Sequence, residues 1–289
     1  MKHRIVVRIL PVAIGLAAIV MGGTDPIVPQ ASSEGAAPEE ISPDRPGLTE
    51  PTDTLSPGTL ELEGGLLLSR HAMESSREFA APFSLLRIGV TRFAEARLGA
   101  DGFARESTLV DGARQHHSGG SDLEAGLKVR VWSEQRYLPA FTAIGSLSIP
   151  TGSAYFSSGR RDPSLELCWS KSLPAHFQAG GNVNFRWGAE TTEHAVSLSV
   201  SRKLGRGIGA YGEVYRLSPI EGDEPAHWIA DTGITKLLGI NTQVDIELGH
   251  TLCARTPYWF VGAGFAIRFS RPPVIRALSR NAHEPAPKG

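Results

Sequence analysis

The chain has 289 residues, 29 basic and 30 acidic side chains, a formal net charge of −1, 41% hydrophobic and 20% charged content, and two cysteines. That near-zero balance gives no footprint for nucleic acid or a strongly acidic partner, and the cysteines have neither metal-site nor C-x-x-C spacing. Thirty-two glycines, spread along strand-like runs, suit strands that bend or pack closely.

Lys2, His3, Arg4 and Arg8 precede an apolar run from Ile9 to Met21, and Gly22 and Gly23 follow. This is the layout of a secretory signal peptide over residues 1–23, because a membrane helix needs about 20 apolar residues and this run is shorter and holds Pro11. Residues 24–57 are rich in Pro, Ser, Glu and Ala without apolar periodicity. They read as an extended periplasmic leader, hanging free or folded upward as a plug around Arg45.

After a turn at Pro57-Gly58, a period of two begins and recurs to residue 270. Leu60, Leu62, Leu66 and Leu68 oppose Glu61, Glu63 and Ser69. Leu86, Ile88 and Val90 oppose Arg87, and Ala94, Ala96 and Leu98 oppose Glu95 and Arg97. Leu123 to Val131 alternates with Glu124, Lys128 and Arg130, and Phe141 to Ile149 with Thr142, Ser146 and Ser148. Leu165, Leu167 and Trp169 alternate with Glu166, Cys168 and Ser170, then Phe177 to Trp187 with Gln178, Asn182, Asn184 and Arg186. Runs at 196–200, 208–214, 228–234, 244–248 and 259–269 bring the count to about twelve. The last sets Trp259, Val261, Ala263, Phe265, Ile267 and Phe269 against Gly262, Gly264, Ala266 and Arg268.

Tight links alternate with longer ones, the longest being residues 101–121. Outer-membrane barrels show that asymmetry, with short periplasmic turns, longer external loops and, for an even strand count, both termini in the periplasm. Phe141, Phe177 and Phe269 fall near the inferred inner ends, and Trp187, Trp228 and Trp259 near the outer ones, as two aromatic girdles would. The predicted fold is all-β, a closed antiparallel transmembrane β-barrel of about 12 strands over residues 58–270, followed by a basic periplasmic tail over 271–289.

The polar parity supplies the candidate lumen-lining residues: Arg87, Glu95, Arg97, Glu124, Lys128, Arg130, Glu166, Arg186, Glu213, Asp245 and Glu247, with Asn182, Asn184, Asp231 and Arg268 beside them. Both signs occur in similar numbers. They line a pore, or they pair across the barrel and fill it; twelve strands leave a narrow passage or one closed by side chains.

Other motifs give way to simpler readings. Gly207-Ile208-Gly209-Ala210-Tyr211-Gly212 has the G-x-G-x-x-G spacing, but runs into a strand instead of opening a helix, as a dinucleotide loop must. His116-His117 lacks further metal ligands nearby. His116-x-Ser118 has the spacing of a barrel-wall phospholipase pair, but lies in the longest loop without a partner to orient it, and His194 has Val196 two residues along. No catalytic, cofactor or metal residue is assigned, and Cys168 and Cys253 read as unpaired thiols, with a disulfide between them the alternative that an oxidising compartment allows.

Ser42-Pro43-Asp44-Arg45-Pro46-Gly47-Leu48-Thr49-Glu50, followed by Pro57-Gly58-Thr59-Leu60-Glu61-Leu62-Glu63-Gly64-Gly65, resembles the start of the bacterial outer-membrane barrel family named for the putative MetA pathway of phenol degradation. Leu147-Ser148-Ile149-Pro150-Thr151-Gly152, Asp162-Pro163-Ser164-Leu165 and Trp259 to Phe265 extend the resemblance over residues 42–270. It implies an outer-membrane transporter for passive passage of small solutes, aromatic or otherwise hydrophobic. The implied partners are outer-membrane lipid, the solute and the barrel-assembly machinery during insertion. Family barrels often finish at the terminal Phe, whereas this chain continues past Phe269. The rival readings are a non-conducting structural or interaction barrel and an outer-membrane lipid hydrolase.

Overall fold

The computed structural model describes residues 40–71, 76–110, 112–188, 192–219, 227–253 and 257–269. The expected signal peptide, the first part of the leader and the basic tail lie outside them. Among the described residues, fourteen strands form one antiparallel sheet. They are β1 (Leu60–His71), β2 (Ser76–Gly89), β3 (Ala94–Ala100), β4 (Phe103–Val110), β5 (Ala113–Gly120), β6 (Leu123–Trp132) and β7 (Ala140–Ile149). The second half comprises β8 (Pro163–Ser172), β9 (Phe177–Trp187), β10 (Thr192–Gly205), β11 (Ile208–Pro219), β12 (His227–Leu237), β13 (Thr242–Cys253) and β14 (Tyr258–Phe269).

The sheet closes because β1 pairs on both edges: Leu60 stands opposite Phe269 of β14 and opposite Ile88 of β2. Closure leaves no row of unpaired amides for lipid to meet, which a strand protein in hydrocarbon requires. The sorting of side chains is the inverse of a soluble domain's. Arg87, Lys128, Glu61 and Glu95 are fully buried inside, whereas Leu66, Leu198 and Ile246 are 43%, 49% and 58% exposed on the outside. Such a surface is stable only with lipid as its solvent.

Twelve strands make the barrel, and β4 and β5 are additional. Residues 101–121, with His116, His117 and Ser118, have the sequence of a long loop but form a β-hairpin instead. β3 pairs with the lower half of β2 (Arg87 opposite Arg97), and β4 continues along its upper half (Ala80 opposite Ala104). Between them the chain steps at Gly102, whose φ is +76° and where any Cβ would strike the Pro82 carbonyl. β5 returns along β4 before β6 rejoins β3. The Ala113–Gly120 segment carries no apolar alternation, which is why period-two reading passes over it. Its support is tertiary: the link between β7 and β8 folds onto it, stacking Tyr155 on His117 at 3.7 Å and burying Phe156.

The remaining turns lie where expected. Val90 and Thr91 close the β2–β3 turn on the Ala94 carbonyl. Arg206 and Gly207, at φ +55° and +70°, turn β10 into β11, so the G-x-G-x-x-G run opens a strand.

Candidate functional site: the barrel interior

Residues 40–57 form no regular element, since Pro43, Pro46, Pro51 and Pro57 interrupt any ladder or helix. They run inside the barrel and touch strands on every side. Of the two readings of this leader, the described part takes the inward one and lies as a plug.

On one side stands a charged wall from β1, β2, β3 and β6. Arg87 meets Glu61 at 2.9 Å, Glu63 at 3.2 Å and Glu95 at 2.8 Å, all fully or nearly fully buried. The plug joins this network through two carboxylates. Asp44 pairs with Lys128 at 2.7 Å, Arg87 at 3.2 Å and Arg97, and Glu50 pairs with Arg97 at 2.8 Å. Three backbone amides add to it: Asp44 and Arg45 N–H donate to Glu63 at 3.0 and 3.1 Å, and Leu55 N–H to Glu95 at 2.8 Å. Each carboxylate at this depth therefore has a cation or an amide, the condition under which buried charge is tolerated.

The opposite wall, from β11 to β14, is acidic: Glu213, Asp231, Asp245 and Glu247 face inward. Arg45 is the plug's answer to it, 2.9 Å from Asp245 and 3.9 Å from Glu247. Gly47 and Leu48 N–H donate to Glu247 and Glu213 at 3.2 and 2.7 Å. The guanidinium fits because the inner face of β14 is glycine: a Cβ on Gly264 would overlap it, and one on Gly65 of β1 would lie 2.9 Å from Arg45 Cζ.

Towards β7, β8 and β10 the plug's buried contacts are neutral, while Glu40 meets exposed Lys203 of β10 at 2.7 Å at the turn end. Thr49 meets Ser197 at 2.6 Å, Thr52 meets Ser170 at 2.6 Å, and Thr142 donates to the Thr52 carbonyl at 2.8 Å. Asn182 Nδ2 donates to the Leu48 carbonyl at 3.1 Å and to Glu166 at 3.3 Å. Beside this wall lies a chamber of about 800 Å³ at the turn end, bordered by Ser170, Gln178, Ser199, Ser201, Tyr211 and Gln243. A smaller cavity of about 260 Å³ lies on the plug's other side, beside Asp53, Ser56, Arg87 and Asn241.

Above the plug the lining changes character. Leu67, Tyr215, Ile229, Tyr258 and Phe260 form a buried apolar cluster inside the barrel, with Phe83, Leu217 and the plug's own Leu48 against it. Phe83 also packs on the cluster of Ala80, Ala104 and Phe156 beneath the hairpin, so apolar side chains run continuously from the hairpin end to the top of the plug. Phe260 lies over Gly249 of β13, a pairing of ring and glycine that lets an aromatic fit a crowded inner face.

The candidate lining residues divide accordingly. Arg87, Glu95, Arg97 and Lys128 are brought together in the charged wall, and Glu213, Asp245 and Glu247 meet the plug across from it. Glu166 is buried beside Asn182; Glu124 is buried higher up, and Arg186 is half-buried. Arg130 stands apart, donating to the Arg92 carbonyl at the turn end. Sequence reasoning passed over Glu61 and Glu63 as site members and missed the inward aromatics. Their signal was available: if Trp259 and Val261 face lipid, Tyr258 and Phe260 face in.

Among the described residues no group of His, Cys, Asp or Glu converges as metal ligands. Ser118 stands on β5 opposite Arg105, in an exposed hairpin. Cys168 is free and buried on the inner face, and the side chain of Cys253 lies outside the described residues.

The model of the family described as "Putative MetA-pathway of phenol degradation" matches residues 43–269. Among solved structures, the COG4313 outer membrane channel from Pseudomonas putida F1 superposes with a TM-score of 0.59 at 14% identity, covering 75% of this chain and 98% of that one. The translocator domain of the autotransporter NalP from Neisseria meningitidis gives 0.51 at 10% identity, covering 73% and 88%. Both likenesses are of fold. No curated protein sequence matches.

Proposed function

From the premise that this chain belongs to the family described as "Putative MetA-pathway of phenol degradation", we propose that it is a bacterial outer-membrane channel for small solutes, held nearly closed by residues 40–57. The short turns, with residues 40–57, then lie at the periplasmic end and the β4–β5 hairpin outside. Residues 1–23 serve as the export signal, and residues 271–289 continue into the periplasm.

The observation that carries this reading is the two-faced interior. A structural barrel gains most from a uniformly packed interior, whereas here a run of Phe156, Phe83, Phe260, Tyr258 and Tyr215 leads from outside to a plug held by ion pairs and scattered hydrogen bonds and not by strand pairing. Apolar lining with a few hydroxyls recognises aromatic or otherwise hydrophobic solutes, since their burial is favourable and the phenolic groups orient them. The candidate lining charges then act mainly to hold the plug. No catalytic step is assigned, and the name of the neighbouring COG4313 channel agrees with a transport role.

The refolded full-length protein in planar bilayers is expected to give small, discrete conductance steps. Absence of conductance, together with no uptake of labelled solute into liposomes by either the wild type or Asp44→Asn, would leave a structural barrel as the better account.

A further inference from the structure

The plug is bound unequally around its circumference, and its weakest hold lies along one wall. Asp44 and Glu50 fix it to Arg87, Arg97 and Lys128, and behind them the small cavity ends at the fully buried Arg87. Nothing can rise past that point without separating Arg87 from its carboxylates. Towards β8–β10 the plug's buried contacts are with hydroxyls and amides, its ion pair from Glu40 to Lys203 being exposed at the turn end, and there the chamber of about 800 Å³ opens.

Directly above that chamber the inner face is polar and incompletely satisfied. On β8 and β9 the sequence of inward groups is Ser170 beside Gly180, then Cys168 beside Asn182, then Glu166 beside Asn184. The Oδ1 atoms of Asn182 and Asn184 are buried without a hydrogen-bond partner. Both are acceptors. A buried acceptor left unpaired costs about 1–3 kcal/mol, so a file of them marks a place where donors pass or dwell.

On the channel reading of the previous section, we propose that solutes pass on one side of the plug only, between it and the inner face of β8–β10 and through the larger chamber, and that this file selects solutes that donate hydrogen bonds. A solute with an apolar body and one O–H or N–H group then has both its needs met. Its body lies against the Tyr215, Ile229 and Phe260 cluster, and its donor faces Asn184, Asn182 and then the hydroxyls of Ser199 and Ser201. The β1–β6 side carries no traffic and serves as the anchor.

The test uses the full-length protein with Cys168→Ser and Cys253→Ser, and a single new cysteine at Ser199, Ser56 or Asn184. Ser199 borders the large chamber and Ser56 the small one. A charged, membrane-impermeant methanethiosulfonate added on the periplasmic side is expected to cut the current through Ser199→Cys by about half or more, and to leave Ser56→Cys nearly unchanged. The opposite pattern overturns the route. Labelling itself is read by mass, independently of any current. The reagent is expected to reach Asn184→Cys from the periplasm; if Ser199→Cys reacts and Asn184→Cys does not, the chamber is a blind pocket and the route fails even in a barrel that conducts. A barrel that shows no current yet labels at Asn184→Cys would defeat the channel reading while leaving the one-sided path in place. For selectivity, benzyl alcohol is expected to slow labelling at Asn184→Cys severalfold more than benzyl methyl ether at the same concentration. Equal protection by both overturns the donor preference.

Discussion

Two of the walls that grip residues 40–57 use different chemistry for the same task. The β1–β6 wall holds the plug with buried ion pairs, in which Arg87 alone meets Asp44, Glu61, Glu63 and Glu95. The β7–β10 wall holds it with hydroxyl pairs such as Thr52 with Ser170. A buried charge left without its partner costs several kcal/mol, whereas a neutral hydrogen bond contributes about 0.5–1.5 kcal/mol net. One wall is therefore a hinge post, and the other a latch that thermal motion can open. Such an arrangement lets a segment be retained and still yield on one side.

The severest way to break this comparison is Arg87→Ala. It removes the cation from among four carboxylates inside the barrel and leaves them facing one another. A loss of about 3–5 kcal/mol is expected, measured as a lower midpoint of urea unfolding in lipid vesicles. Adding Glu61→Gln to Arg87→Ala should restore part of it, because one of the repelling charges is then neutral. A midpoint unchanged by Arg87→Ala would mean that the wall is not held by charge.

Next in size is Asp44→Asn, which keeps the side chain's shape but removes the anion shared by Lys128, Arg87 and Arg97. The barrel keeps its own Arg87–Glu95 pair, so the unfolding midpoint should fall little, while the plug is loosened by about 1–3 kcal/mol. Open probability in planar bilayers is expected to rise by about fivefold to 150-fold by the usual relation of free energy to population. Thr52→Val cuts the latch instead. It should raise open probability by a factor of only about 2 to 10, corresponding to one neutral hydrogen bond. If Thr52→Val opens the channel more than Asp44→Asn does, post and latch are reversed.

How much of this contrast could be read in the chain depends on which residues produce it. The barrel was legible because alternation is local: Glu61 and Glu63 between leucines, or Arg87 between Leu86 and Ile88, reveal a strand with one lipid face. The polar parity likewise named Arg87, Glu95, Arg97 and Lys128 before any contact was known. What alternation could not give was pairing across the barrel, since Asp44 and Lys128 meet only after closure brings β6 round to the plug. The glycines at 262 and 264 were visible on the inner parity, but their purpose was not. They make room for Glu247 and for Arg45, and that fit belongs to the assembled interior. The β4–β5 hairpin was missed for a related reason: its strand character comes from pairing with the upper half of β2 and not from its own pattern.

The smallest effect sets the scale for both walls, and comes from an ion pair outside them. Glu134, in the turn between β6 and β7, lies 2.9 Å from Lys171 and accepts hydrogen bonds from the Ser172 amide at 3.1 Å and hydroxyl at 2.8 Å. Its hydrogen bond with Lys171, helped by those from Ser172, holds its carboxyl below the usual glutamate range. A carboxylate whose pKa is depressed by folding stabilises the fold above its unfolded-state pKa, and that contribution fades as pH falls towards the folded value. Exposed pairs contribute at most about 1 kcal/mol and weaken with salt. Glu134→Gln should therefore lower the unfolding midpoint slightly at pH 7 and low ionic strength, with the difference from wild type disappearing in strong acid or molar salt. The interior pairs obey a different rule, since Arg87 and its carboxylates are shielded from mobile ions. If Arg87→Ala were to lose its penalty in molar salt as Glu134→Gln does, the charged wall would be open to solvent, and the post could not hold the plug while the latch moves.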